Sequence, residues 1–304
     1  MSEENNEADE AADSCCASCG IAEIDDIKLV PCDGCDLVRY CGDGCRENHK
    51  SEHEEDCKKR VAELRDELLF KQPESTHLGD CPICSLPIPI DVDKSAVYAC
   101  CSKVICEGCR HANLMREVGQ RITIKCPFCR EPSLKTDEEI TKLMMKRIEA
   151  NDPVAMDQWG GKQYEKGDYR SAFEYWTKAA ELGDVEAHYK LSLLYRDGDG
   201  VAKDEGKEMH HAQEAAIGGH PDARYSIGAY EWNNNRNSDR AVKHWIISAT
   251  QGDDLSIKML MEFFRNGCVS KAQLDATLRA HHAAINATKS PQRKAAEKFE
   301  KNSC

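Results

Sequence analysis

Fifteen of the chain's 18 cysteines, together with one histidine, fall into two sets of eight within the first 129 residues. The first set is Cys16-x2-Cys19, Cys32-x2-Cys35, Cys41-x3-Cys45 and His53-x3-Cys57. The second is Cys81-x2-Cys84, the adjacent pair Cys100 and Cys101, Cys106-x2-Cys109 and Cys126-x2-Cys129. Such spacing lets one tight turn supply two ligands, and structural zinc takes four sulfur or nitrogen ligands. Eight ligands per set therefore imply two zinc ions per module, four in all. Regions this poor in apolar side chains need the metal to hold a shape.

A disulfide framework is the competing reading of so many cysteines. Residues 1–14 carry six acids and no base, so the chain opens as an acidic tail rather than a charged-then-apolar leader. Paired Cys-x2-Cys spacing in that context points to metal in a reducing compartment, cytoplasmic or nuclear. No apolar run approaches the roughly 20 residues needed to cross a bilayer, so no membrane association is expected. The formal charge is −13, and the thiolates of zinc sites make it more negative. A surface of that sign repels phosphate backbones, which argues against nucleic acid as a partner.

The first set, with Tyr40 just before Cys41, resembles the MYND zinc finger over the whole of residues 15–57. That resemblance implies one zinc on Cys16, Cys19, Cys41 and Cys45, and a second on Cys32, Cys35, His53 and Cys57. His53 and Cys57 are four residues apart, so one helical face can present both. His49, one turn earlier, is the alternative to His53, and Cys15 the alternative to Cys16. MYND fingers bind short peptides. At the positions where the co-repressor type frames its groove with Gln and Trp, this chain has Arg46 and Lys50, so the partner stays unassigned.

The second set resembles an all-cysteine RING finger over residues 81–130. The usual histidine is missing, and Lys103 stands near its place. The cross-brace pattern implies one zinc on Cys81, Cys84, Cys106 and Cys109, and another on Cys100, Cys101, Cys126 and Cys129, with His111 spare. A RING acts by holding a ubiquitin-charged E2 in a reactive pose, which is catalysis by positioning. Ile83, Pro127 and Arg130 match the family's E2-contacting positions, with Arg130 as the residue whose planar fork would bridge E2 and ubiquitin. Asn113 replaces the usual apolar residue four positions after Cys109. The same matches suit a non-catalytic scaffold, so ligase and adaptor both stand.

Between and after these modules the pattern turns helical. Val61, Leu64, Leu68 and Leu69 form one stripe, predicting a helix over 58–72 packed on the first module, with a short linker to residue 80. Thr136 and Glu139 form a capping box that opens a connecting helix within 131–152. From 153 to 288 the chain repeats: Gly183, Gly219 and Gly252 recur at intervals of 36 and 33. Ala172-x3-Trp176-x3-Ala180 returns as Ala241-x3-Trp245-x3-Ala249, and Ala187-x3-Leu191-x3-Tyr195 as Ser256-x3-Leu260-x3-Phe264. Glu231 takes the aromatic position in the third copy. This resembles Sel-like repeats, relatives of the tetratricopeptide family, which implies antiparallel helix pairs presenting a surface to protein partners. Trp176, Trp245, Tyr195 and Phe264 are expected in the core, and the pairs His210–His211 and His281–His282 on solvated faces. Residues 289–304 read as a charged, frayed tail. The expected architecture is small zinc-stapled α+β modules followed by an all-α helical-repeat solenoid.

Overall fold

A computed structural model describes residues 15–24, 26–133 and 136–303. The acidic tail expected over 1–14 lies outside them. The chain divides into two compact units, with the boundary between Lys71 and Gln72.

In the first unit, β1 (Val30–Pro31) pairs antiparallel with β2 (Arg39–Tyr40), and α1 runs 28 residues from Asp43 to Phe70. The helix expected over 58–72 is thus the continuation of the helix that carries Cys45, His53 and Cys57. Nothing between 57 and 58 breaks it: no Gly or Pro falls between Cys45 and Phe70, and Glu54 pairs with Lys58 at i,i+4. Its apolar stripe is divided, with Val61 and Leu68 exposed, Leu64 half-buried and Leu69 buried. The core is correspondingly small, built from Cys16, Leu29 and Tyr40 with the partly buried Ile27, Cys32 and Val38.

The second unit begins with the linker and the second cysteine-rich module. Strands β3 (Ser95–Tyr98) and β4 (Lys103–Cys106) form a hairpin in which Ser95 faces Cys106 and Tyr98 faces Lys103. Helix α2 (Glu107–Gly119) follows directly. Helix α3 (Asp137–Glu149) starts at the capping box, with both Thr136–Glu139 hydrogen bonds in place.

Eight helices then form four antiparallel pairs: α4 (Pro153–Glu165) with α5 (Tyr169–Glu181), α6 (Val185–Asp197) with α7 (Glu205–Ile217), α8 (Pro221–Asn233) with α9 (Ser238–Thr250), and α10 (Asp254–Arg265) with α11 (Lys271–Ala287). Each starts at a side-chain cap, from Asp152 through Ser270, that accepts a backbone N–H of its first turn. Gly183, Gly219 and Gly252 all have φ near +90° (87, 87 and 102), the left-handed turn that starts each new pair. Trp176 and Trp245 occupy equivalent places. Each lies against a glycine of the preceding helix, Gly160 and Gly228, and each indole N–H donates to a carbonyl there, of Asp157 and Tyr225.

Several expectations need correction. Phe264 is 39% exposed, and its neighbour Phe263 fills the core. From Ser256, seven residues return a helix almost to the same face, whereas eight overshoot it by most of a quarter turn. Glu231 is buried and paired with Arg240 at 2.7 Å, so an ion pair replaces the repeat's aromatic. His281 is buried with Nδ1 3.0 Å from the Ala249 carbonyl, and His211 stacks on Tyr195 beside His188. The histidine pairs therefore each put one ring into the packing. Finally, the tail is not frayed: α12 (Pro291–Ser303) packs along α2, with Ala296 and Arg293 buried.

Candidate metal centres

Four Cys-x2-Cys segments share one local construction. The N–H of the residue after the second cysteine donates to the carbonyl of the first: Gly20 to Cys16 at 2.8 Å, Asp36 to Cys32 at 3.3 Å, Ser85 to Cys81 at 2.8 Å, Arg130 to Cys126 at 3.0 Å. All four of these residues have positive φ. The first cysteine's own N–H reaches forward, as from Cys81 to Leu86 and from Cys126 to Glu131. Each knuckle thereby turns two sulfurs to one side and leaves backbone N–H groups pointing at them.

The fold gathers the sixteen residues into four groups whose ligand atoms lie within 4.8 Å of one another. They are Cys16, Cys19, Cys41 and Cys45; Cys32, Cys35, His53 and Cys57; Cys81, Cys84, Cys106 and Cys109; and Cys100, Cys101, Cys126 and Cys129. Zinc at about 2.3 Å from each sulfur places neighbouring tetrahedral sulfurs about 3.8 Å apart. Observed separations are 3.8 Å for Cys32–Cys57 and for Cys84–Cys106, 3.9 Å for Cys101–Cys126 and 3.6 Å for Cys19–Cys41. His53 Nε2 stands 3.1 Å from Cys35 Sγ. All 17 described cysteines are free of disulfides.

The electrostatics suit a cation at each centre. Burial works against ionisation of Cys16 and Cys32, but backbone N–H donors from Cys19 and Gly34 among others hold both thiols down to about 6. Cys81 is held to about 7 against its burial by donors from Cys106, Cys84 and Ile83. Their neighbours go the other way. Cys41 is pushed up to about 12, first by its sulfur contacts with Cys45, and burial raises Cys100 and Cys109. Four sulfurs this close cannot all carry charge unless a cation sits among them. The donor sets fit zinc, and zinc is the cofactor of this chain.

The alternatives left open by spacing separate in space. Cys15 joins no group. His49 receives or gives a hydrogen bond with Tyr40 Oη at 3.1 Å and stacks on His53, outside the metal set. His111 packs against Phe299. Arg46, at the MYND groove, pairs with Asp33 at 2.8 Å.

In the second module Ile83 is 45% exposed, Pro127 is half-buried and Arg130 is exposed. Arg130 is not idle: Nη2 donates to Glu117 Oε1 at 2.9 Å and Nη1 to Asn113 Oδ1 at 3.2 Å. Asn113, the residue that departs from the RING pattern, thus ties α2 to the last knuckle, and its Nδ2 also donates to the Lys125 carbonyl at 3.0 Å.

A fifth group, His77, Glu186 and His220, escaped the sequence reading because its members are far apart along the chain. Its rings are 4.2 Å apart and 3° from parallel. A metal binds in the plane of an imidazole, and two offset parallel planes share no point, so this geometry is stacking and not coordination. His220 caps α8 through Nδ1, which leaves its Nε2–H to donate to Glu186 at 3.1 Å. Burial pushes Glu186 up, but His220, His77 and Lys190 outweigh it and hold its carboxyl well below the usual range.

A family model of the MYND finger matches residues 16–57. The Sel1 repeat model matches residues 155–184, 185–220 and 234–253. A curated relative, the putative RING finger protein ORF96 of Ostreid herpesvirus 1 (isolate France), is 42% identical over 53 residues, which are 17% of this chain and 22% of that protein. The chain thus matches about a fifth of that relative's length. Among solved structures, a Sel1 repeat protein from Oxalobacter formigenes aligns with TM-score 0.44 and 22% identity, covering 65% of this chain and 87% of that one. A protective antigen of uropathogenic Escherichia coli with an SLR fold aligns with TM-score 0.42 and 17% identity, over 59% of this chain and 37% of that one. Among the described residues, no helix is long and apolar enough to cross a membrane. The chain carries a MYND finger and Sel1 repeats, with a module of two four-cysteine groups between them.

Proposed function

We propose that this protein is a RING-type ubiquitin ligase whose helical repeats recruit the target. The sixteen gathered residues hold four zinc ions, over domains at 15–57, 81–130 and 153–288. The RING module at 81–130 receives the charged E2, and the repeats and the MYND finger supply protein-binding surfaces. One observation carries this reading. The module leaves Ile83, Met115, Val118, Ile122 and Phe128 between 39% and 55% exposed, although it buries Ile88 and Ile105 almost completely. Apolar side chains exposed to that extent on so small a module are available to meet another protein. Ile83 at the matched position and Arg130 at the rim suit it to an E2.

A second reading, a zinc adaptor without transfer activity, is favoured by the pairing of Arg130. Both of its terminal nitrogens are already given to Asn113 and Glu117, so bridging E2 and ubiquitin requires that fork to turn outward.

Discharge of ubiquitin from a panel of charged E2 enzymes by zinc-replete protein separates the two. The ligase reading expects accelerated discharge that Ile83→Ala and Arg130→Ala each reduce about ten-fold or more, with zinc content unchanged. Indifference of every E2 to the wild-type protein would favour the adaptor.

A further inference from the structure

The C-terminal helix reaches into the third zinc group. Arg293 of α12 is only 7% exposed, although nothing in the local sequence calls for a buried arginine. Its Nη2 stands 3.6 Å from Cys84 Sγ and donates to the Leu86 carbonyl at 3.2 Å. Its Nη1 donates to the Pro87 carbonyl at 2.6 Å and to Thr288 at 2.7 Å. Leu86 is the residue whose carbonyl also accepts the Cys81 N–H, so the guanidinium grips the knuckle's rim as well as its sulfur.

The other half of the same centre is met by the backbone of α12. A Cβ on Gly108, beside Cys109, would lie 2.7 Å from the Arg293 nitrogen and 2.9 Å from its Cα. Only glycine admits that approach. Lys94 to Glu297 at 3.8 Å and His111 against Phe299 extend the contact along α12. Arg293 therefore touches both ligand pairs, Cys84 from the first knuckle and the turn that carries Cys109.

We propose that α12 is a clasp on the Cys81, Cys84, Cys106 and Cys109 centre, with Arg293 donating to a zinc-bound thiolate and holding the metal against loss. Four thiolates around one dication leave two net negative charges. An N–H donor and a positive charge at that sulfur lower its basicity toward protons and its reactivity toward electrophiles. Outer partners of metal ligands typically change metal affinity by 10–100-fold. Arg293 is a positioning residue of the metal site, and it makes zinc retention in the module depend on a helix that follows the whole repeat array.

The inference rests on the zinc reading above, and its test keeps the two apart. Full-length, zinc-loaded protein is exposed to N-ethylmaleimide in the presence of a competing chelator, and labelling of each cysteine is followed by peptide mass spectrometry. In Arg293→Met, Cys81, Cys84, Cys106 and Cys109 should label roughly ten-fold faster than in the wild type. Cys100, Cys101, Cys126 and Cys129 should keep their rate, and Arg293→Lys should lie between. A chain ending at Ser290 should reproduce the Met variant, which covers the case in which that substitution disturbs folding. Unchanged labelling of the third group in both variants, with four zinc ions present, overturns the clasp alone. Equal acceleration in both groups overturns it too, as general loosening. Fewer than four ions in the wild type overturns the metal reading on which it stands.

Discussion

Arg130 Nη2 donates to Glu117 Oε1 at 2.9 Å, and the Glu117 side chain is shut off from solvent. The same carboxylate accepts the Lys125 N–H at 2.9 Å and Asn113 Nδ2 at 3.0 Å. One buried acid thus joins α2, the segment leading into the last knuckle, and the residue that follows it. Arg130 is held there with φ +64°, in the left-handed region that the knuckle imposes.

Truncating this acid should therefore loosen the module. Glu117→Ala leaves the Lys125 N–H and the arginine without their acceptor, a loss of about 1–3 kcal/mol for a buried hydrogen-bonding group. The lower half of that range is expected because Arg130 itself stays partly solvated. Thermal or denaturant unfolding of zinc-loaded protein measures it, and an unchanged midpoint would refute the linking role. The pair also predicts a pH response. Burial pushes Glu117 up, but the Lys125 N–H and Arg130 hold it below its ordinary 4.5. A depressed carboxyl stabilises the fold above the unfolded value, and that contribution is lost as pH falls through the folded one. Glu117→Gln should therefore destabilise most near neutrality, and the difference from wild type should shrink on acidification.

Asp184 predicts the opposite sign. It caps α6 through Ala187 N–H, but burial and then the nearby Asp157 push its carboxyl up to about 7 from 3.8. A raised acid favours the folded state while protonated. Its contribution is fully present below the unfolded value and is lost as pH rises through about 7. Asparagine keeps the cap without the charge. Asp184→Asn should raise the melting temperature at pH 8, corresponding to a gain in stability of about 1 kcal/mol once solvent screening is allowed for, and should do nothing at pH 4.

The two glycine–tryptophan contacts give a packing test. A Cβ at Gly160 or Gly228 would lie 2.6 Å from the indole nitrogen of Trp176 or Trp245. Both rings are nearly inaccessible, so neither can swing away without moving the helix pair. Gly160→Ala and Gly228→Ala should each cost about 1–3 kcal/mol, although alanine is the better helix former. Ala at the helical position Gly161, where nothing lies within 4 Å of a Cβ, should be neutral or stabilising and serves as the control.

Metal removal gives a fourth test. Elemental analysis should return four zinc ions per chain. Chelation should unfold 15–57 and 81–130, because binding energy there is largely folding energy. Circular dichroism should fall by the share due to α1 and α2 while α4–α11 persist. Collapse of the whole helical signal would show that the array depends on metal.

Much of this was legible because it is local. A Cys-x2-Cys turn needs only four residues, and its positive-φ fifth residue follows from the turn itself. The capping box at Thr136 and Glu139 and the recurrence of Gly183, Gly219 and Gly252 were also readable from spacing, and the burial of Trp176 and Trp245 from the repeat resemblance. The grouping of sulfurs across 22–29 residues came from family resemblance, and the fold brings those same residues together. Helical phase was harder: the repeat alignment favours Phe264, whereas the 3.6-residue period buries Phe263.

Ligand spacing, helix periodicity and repeat length were determined by the chain's own order of residues, since each arises within a few turns of backbone. Only the tertiary structure decided that His77 stacks on His220, that His281 is buried, and that a seemingly frayed tail lays Arg293 on Cys84 across 209 positions. Those contacts join surfaces that exist only after the hairpin, α2 and the repeats have formed. A charged residue such as Arg293 carries no local sign of burial, because, Thr288 apart, the groups that satisfy its guanidinium come from residues 84–87, some 200 positions earlier.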